Sequence, residues 1–318
     1  MAYYGNFNPM VEKSGKNQHF IPEPYESVFL LSADFELAWA WRMLYKGEKG
    51  SVFMDQKATR ARKNIPKILQ LCERYSIPIT WATVGHLFLE QCDGHDDIPR
   101  SDYYQNEYWS YDEGDWFDMD PRTNWKNAPN WYAPDLIQQI RQSKVEHELG
   151  CHTFSHIDCR EKYCPPETFR AELTASANAA REYQTEFRTF VHPAHTIGHL
   201  DILAEFGYSN FRSNYKNTLG FPKRCKNGLW ELKNSYEIKN LNDRDPDFHI
   251  RRFIDIVKRS MKNRSVAVVW FHPSLESFIV DDVLPAFFQY LDNERDKIWI
   301  CNHQQYIEWL NATEKDAI

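Results

Sequence analysis

The sequence has no apolar run long enough to cross a membrane. Its longest stretches, residues 28–31 and Val266–Phe271, fall far short of the roughly 20 residues a span requires. The opening residues, MAYYGNFNPMVEKSGKNQHF, contain no apolar h-region, which argues against a secretory leader. Positive charge is not in surplus either. A formal net charge of −7 disfavours binding to a phosphate backbone, so no nucleic-acid partner is expected. The seven cysteines (Cys72, Cys92, Cys151, Cys159, Cys164, Cys225 and Cys301) are odd in number and scattered. Without a leader they read as free thiols of a reducing compartment, so the expected location is cytoplasmic. There is no internal repeat, low-complexity tract or obvious linker.

What is present is globular composition. In 318 residues, 42% are hydrophobic, 15% aromatic and 26% charged, enough apolar material for a sizeable core. Strand-like and helix-like patterns alternate along the chain. Strands are expected at 28–34 (VFLLSAD), 77–84 (IPITWATV), Glu148–Cys151, Thr189–Val191, 208–213, Val266–Phe271 and 297–300 (KIWI). Helices are expected at 55–75, 133–142, 165–183, 200–206, 247–262, 281–291 and 304–310. Such alternation implies an α/β fold with a parallel sheet covered by helices, and about seven units favour a barrel over an open sheet. Residues 1–27 read as an N-terminal extension and 28–318 as a single domain.

One stretch breaks the rhythm. An insertion at about 92–129 shows little periodicity, and from Gln91 to Asp120 it holds ten acids, one arginine and seven aromatics. A loop this long is either a functional lid or a surface excursion pinned by its aromatics.

Three motifs carry possible chemistry. Gly150-Cys151-His152-Thr153-Phe154-Ser155-His156 places two histidines four apart after a strand, a spacing that can aim both imidazoles at one divalent ion. Cys159 and Cys164 lie nearby, but their spacing matches no common closed zinc site. Asp34-Phe35-Glu36 sits at the end of the first strand, where the competing reading is a helix-capping acid with a solvated neighbour. His272 follows the buried strand Val266–Phe271 and is held by Pro273; a lone histidine there is more often structural. Functional groups collect at the carboxyl ends of parallel strands, so all three would open onto one face.

In this order, Asp34-x-Glu36, then His152-Thr-Phe-Ser-His156, then Phe271-His272-Pro273, the chain resembles the polysaccharide deacetylases with a NodB-type domain, carbohydrate esterase family 4. The resemblance runs from about Val28 to Leu310, and Thr80-Trp81-Ala82-Thr83 is similar to that family's second strand. It implies a distorted (β/α) barrel and metal-dependent N-deacetylation of an N-acetylated sugar, glycan or glycolipid precursor. Asp34 would be the general base and His272 the general acid. Glu36, His152 and His156 would hold one divalent ion, with zinc the first choice and cobalt, nickel or iron also suited. The two acids could exchange roles. The family usually carries an arginine beside a proline in its third motif; here Phe190-Val191-His192-Pro193-Ala194-His195 has none. His192, His195 or Arg212 from the next strand are the candidates to replace it. Further substrate contacts are expected from Trp81, Trp109 and Trp116, whose rings could stack on a sugar.

Three other readings compete. The same metal site could hydrolyse a cyclic amide or imide. A barrel lacking the arginine could bind a glycan without cleaving it. A structural zinc protein would unfold with chelators and show no chemistry.

Overall fold

Two faces of one strand set the architecture. In Ser27–Phe35 alternate residues Val28 and Leu30 join one buried cluster, while Phe29, Leu31, Ala33 and Phe35 join another. A strand buried on both faces belongs in the middle of a covered parallel sheet. A computed structural model of the chain describes residues 9–13, 17–42, 44, 47–99, 115–214, 217–241 and 244–316.

The strands are β1 (Met10–Val11), β2 (Ser27–Phe35), β3 (Thr80–Thr83), β4 (Glu148–Cys151), β5 (Thr189–Val191), β6 (Asn210–Ser213), β7 (Thr218–Leu219), β8 (Lys223–Arg224), β9 (Trp230–Lys233), β10 (Tyr236–Ile238), β11 (Val266–Phe271) and β12 (Ile298–Cys301). The helices are α1 (Ala38–Trp41), α2 (Gly47–Tyr75), α3 (Pro134–Gln142), α4 (Pro166–Arg181), α5 (Leu200–Glu205), α6 (Pro246–Lys262), α7 (Leu284–Asn293) and α8 (His303–Asp316).

The main sheet runs β10-β11-β2-β3-β4-β5-β6-β9-β8, with β12 paired to the first half of β2. Every pairing in it is parallel except β8 with β9. Chain connectivity curls it towards a barrel. β9 bonds to β6 and β10 bonds to β11, and only Asn234 and Ser235 separate them. Ser235 donates its backbone N–H to Val268, completing the crossing. The expected distorted (β/α) barrel is therefore what forms, as a curled sheet in which the chain passes directly from β9, next to one edge, to β10 at the other.

The inner face carries Val28, Leu30, Val266, Val268, Trp230 and Leu232, closed from below by Tyr306, Ile307 and Leu310 of α8. Each such side chain contributes about 1.5–3 kcal/mol by leaving water. The outer face packs on the helices, including Ala58, Ala61, Ile65, Ile68 and Cys72 of α2, spaced three or four apart along one stripe.

Expected and observed elements differ where local signals are weakest. Helix α2 begins at Gly47, not at 55, because its first turns are exposed and lack an apolar stripe. Strands β9 and β10, four and three residues long, were not anticipated, although they join the sheet edges. The segment 281–291 divides into a π-turn over Ile279–Val283 and helix α7. The N-terminal segment is tied to the body, with β1 beside β7 and Ile21 in the inner cluster.

Candidate active site

Alternation along β2 decides which side chains reach the inside. Asp34 shares a face with Val28, Leu30 and Ser32, and Glu36 follows two residues on. Both acids are 4% exposed. Leu37, next in line, has φ +47°, a left-handed backbone that a branched residue adopts only at a cost, and the turn aims Glu36 inward.

His152 immediately follows β4. Thr153 and His156 both take positive φ, +59° and +60°, bending the loop so that both rings face Glu36. Glu36 Oε1 lies 3.0 Å from His152 Nε2 and 3.2 Å from His156 Nε2. The loop is braced from behind. Glu172 on α4 accepts hydrogen bonds from the backbone N–H groups of Phe154 and Ser155, both at 2.8 Å, and from the Ser155 hydroxyl. Arg42, stacked between Trp39 and Trp116, donates to the Ser155 carbonyl.

These donors suit a divalent ion. His152 Nδ1 lies 2.6 Å from the Val191 carbonyl, which places a proton on Nδ1 and turns Nε2, the nitrogen free to bind a metal, towards Glu36. Glu36 Oε2 is buried without a hydrogen-bond partner. Burial raises the Glu36 carboxyl, but His272 and His156 outweigh it and hold it well below the usual carboxylate range. Burial pushes the His156 ring downward, against the pull of Glu36.

Asp34 is held differently. Arg212 on β6 donates to its Oδ2 at 2.6 Å and to Ser32 Oγ at 2.9 Å, with the guanidinium over the Trp270 ring. Burial would raise the Asp34 carboxyl, yet Arg212 prevails and lowers it. The Asp34 Oδ1 atom is buried with no hydrogen-bond partner. Of the three candidates for the missing motif arginine, Arg212 is the one that contacts Asp34.

His272 closes the other side. Its Nε2 stands 3.5 Å from Glu36 Oε2 and its Nδ1 3.8 Å from Glu237 Oε1. Its ring lies between Trp41 and Trp270, at 5.1 and 5.2 Å. The loop after His272 is fastened by Asn64 of α2, which donates to the carbonyls of Pro273 and Leu275. His272 is the part-exposed member of the group, 26% accessible, and it lines a cleft of about 360 Å³ with Trp41, Lys57, Glu237 and Ser274. A larger cavity of about 810 Å³ lies elsewhere, by Glu161, His199 and Asn227, and has none of these converging groups.

The remaining candidates fare unequally. Trp81 is not a sugar platform: Ala82 pairs with Asp34, so Trp81 points to the helix side, fully buried beside Phe35 and His147. Trp116 is likewise corrected; it is 1% exposed and donates its indole N–H to Ser155 Oγ, pinning the insertion to the histidine loop. Trp109 lies outside the described residues. His192 is buried on the helix side between Phe190 and Phe211, bonded to the Gly198 carbonyl, with burial pulling its pKa down to about 3. His195 stays at the rim, edge-on to Trp270, also lowered to about 3 by burial. Cys159 and Cys164 bond to nearby carbonyls and, among the described residues, join no ligand group. The sequence reading missed Trp41 and Glu237; Glu237 lies on an unanticipated strand, and Trp41 was readable only as one of several aromatics after Glu36.

Comparison with solved structures places the chain among proteins of the same shape. A Mycobacterium smegmatis structure described as a polysaccharide deacetylase superposes with TM-score 0.66 at 14% identity, over 92% of this chain and 93% of that one. A Pseudomonas aeruginosa structure described in the same way gives 0.62 at 12% identity, over 96% and 95%. The Puue allantoinase gives 0.60 at 12% identity, over 98% and 96%. No curated protein matches the chain. At such identities the likeness establishes the fold. The family follows from the sequence match: residues 51–209, half of the chain, fit the polysaccharide deacetylase model. That segment contains the His152–His156 loop, whereas Asp34, Glu36 and His272 lie on either side of it. This chain belongs to the polysaccharide deacetylase family.

Proposed function

We propose that the protein is a metal-dependent amidohydrolase that removes the acetyl group from an N-acetylated sugar or glycan precursor. One observation carries the reading: Glu36 Oε1, His152 Nε2 and His156 Nε2 converge beside an arginine-held Asp34 and a part-exposed His272. Family membership supports hydrolysis of acetylated carbohydrates.

Glu36, His152 and His156 would hold the ion, a His₂-carboxylate set that suits zinc, cobalt, nickel or iron. When bound, the ion supplies Lewis acidity to the acyl carbonyl and acidifies a water. Asp34 accepts the proton of the attacking water, and Arg212 keeps that carboxylate ionised and turned towards the reacting centre. His272, with Glu237 near its other nitrogen, delivers a proton to the departing nitrogen. Without that proton an amide would have to expel an amide anion, a poor leaving group. Trp41 and Trp270 fix the imidazole plane and keep water from one side of it. The cleft beside His272 is where the sugar would lie.

A second reading uses the same groups on a cyclic amide, and the fold shared with the Puue allantoinase favours it. One assay separates the two. Metal-replete protein is given N-acetylglucosamine oligomers and, separately, cyclic amides and imides. Acetate release supports the deacetylase. Ring opening without acetate from any N-acetylated sugar replaces it with the second reading. No turnover on either overturns both.

A further inference from the structure

A second set of ligand-type side chains gathers away from the catalytic acids. His86 lies in a 3₁₀ turn, Gly85–Phe88, just after β3; Cys92, His95 and Asp120 belong to the two described ends of the insertion. Their ligand atoms all fall within 4.8 Å of one another. Cys92 Sγ is 3.5 Å from His86 Nε2 and 3.2 Å from Asp120 Oδ2. Asp120 Oδ2 is 3.0 Å from His95 Nε2 and 3.4 Å from His86 Nε2. Around a tetrahedral zinc-type ion, ordinary bond lengths put nitrogen and oxygen ligands about 3.3 Å apart and sulfur and nitrogen about 3.6 Å apart.

We propose that His86, Cys92, His95 and Asp120 form a second divalent-metal site of the closed, zinc type, which fastens the insertion to the wall of the catalytic site. Four protein ligands leave no position for water or substrate, so the role is structural. Coordination takes the Cys92 thiolate and releases its proton to solvent. One thiolate, one carboxylate and two neutral imidazoles then offset the ion's two charges, leaving a buried cluster without net charge.

Hydrogen bonds link the same atoms, the Cys92 thiol lying beside His86 Nε2, Asp120 Oδ2 and the Tyr132 hydroxyl, so it is the convergence of four ligand atoms that carries the metal reading. His86 Nδ1 faces the Trp131 carbonyl at 3.2 Å, which places its proton there and leaves Nε2 as a lone pair aimed into the cluster. Three groups crowd one oxygen, Asp120 Oδ2, while Oδ1 already accepts from Tyr132 and the Arg122 N–H. Supplying a proton at His86 Nε2 as well would need an imidazolium with no solvent exposure.

The cluster leans on the catalytic loop. The N–H groups of Gly85 and His86 donate to the carbonyls of Thr153 and Phe154, and the rings of His86 and His95 pack on Phe154. An ion here would stiffen the wall behind His152 and His156.

The test uses the full-length protein loaded with zinc or cobalt. Metal analysis should find about two ions per chain in wild type and about one in His152→Ala/His156→Ala. Cobalt-loaded His152→Ala/His156→Ala should keep a thiolate-to-cobalt charge-transfer band, and Cys92→Ser should lose it. If Cys92→Ser does not fold, zinc X-ray absorption of the double histidine variant decides through the presence of one sulfur neighbour. A variant without His152 and His156 that binds no metal, or binds it without sulfur, overturns the proposal. A single sulfur-ligated ion indifferent to His152 and His156 supports this site and speaks against the catalytic one.

Discussion

Among the described residues, two convergent groups of histidine and acid differ in what surrounds them. At Glu36, His152 and His156 the donors number three, with Asp34 and His272 beside them and a cleft at the side of His272. At His86, Cys92, His95 and Asp120 the donors number four, enclosed by Trp131, Tyr132, Phe117 and Phe154. On the roles proposed above, the three-donor group beside Asp34 and His272 would serve chemistry and the four-donor group with Cys92 would serve cohesion. The two groups share a wall, since the 3₁₀ turn bearing His86 bonds to the loop bearing His152 and His156.

Changes at the open group should have the largest effect on reaction. His152→Ala/His156→Ala is expected to lower acetate release to background, measured on protein whose remaining metal is quantified. Retained turnover would erase the distinction between the two groups.

Arg212→Met comes next, because it leaves a buried carboxylate unpaired. Breaking a buried pair costs about 3–5 kcal/mol, to be read from denaturant unfolding. The effect on pH follows from the lowered Asp34 carboxyl. In wild type the Asp34–Arg212 pair contributes stability that is complete above the ordinary aspartate pKa of about 4 and is lost as pH falls through the lowered folded value. Activity should likewise persist below that pH. In Arg212→Met the upward push of burial is opposed by His152 and His272 alone, so the acid limb of kcat/KM should move up. An unmoved limb would mean that Arg212 does not set the state of Asp34.

Cys92→Ser/His95→Ala should act on stability more than on chemistry. Wild-type Tm should rise with added zinc by a portion that this variant lacks, as expected when a ligand binds only the folded state. Turnover should fall less than it does in Arg212→Met. The smallest effect is expected from Trp116→Phe, which deletes one buried hydrogen bond worth about 1 kcal/mol, with acetate release within about twofold of wild type. A larger loss of activity would show that Trp116 sets the shape of the histidine loop.

Much of the open group is legible in the sequence because its members lie at strand ends within short motifs. Asp34 lies near the end of β2 and Glu36 just past it, His152 follows β4, and His272 follows β11. The partnership of Arg212 with Asp34 spans 178 residues and depends on the curl of the sheet, so local pattern could only nominate it. Trp81 shows how one-residue parity misleads: on a four-residue strand the face cannot be read until the register with Asp34 is known. The closed group was missed for another reason. Cys92-x-x-His95 is its single compact signal, while His86 and Asp120 come from a 3₁₀ turn and the far end of an aperiodic insertion.

Asp34 as the base of a metal-holding site is put to the test by Asp34→Asn. Acetate release from N-acetylated sugar oligomers and metal content would be measured on the same samples of wild type and variant. Metal content should be unchanged and turnover reduced by about 10²–10⁴-fold. Full turnover in Asp34→Asn with its metal in place would contradict it.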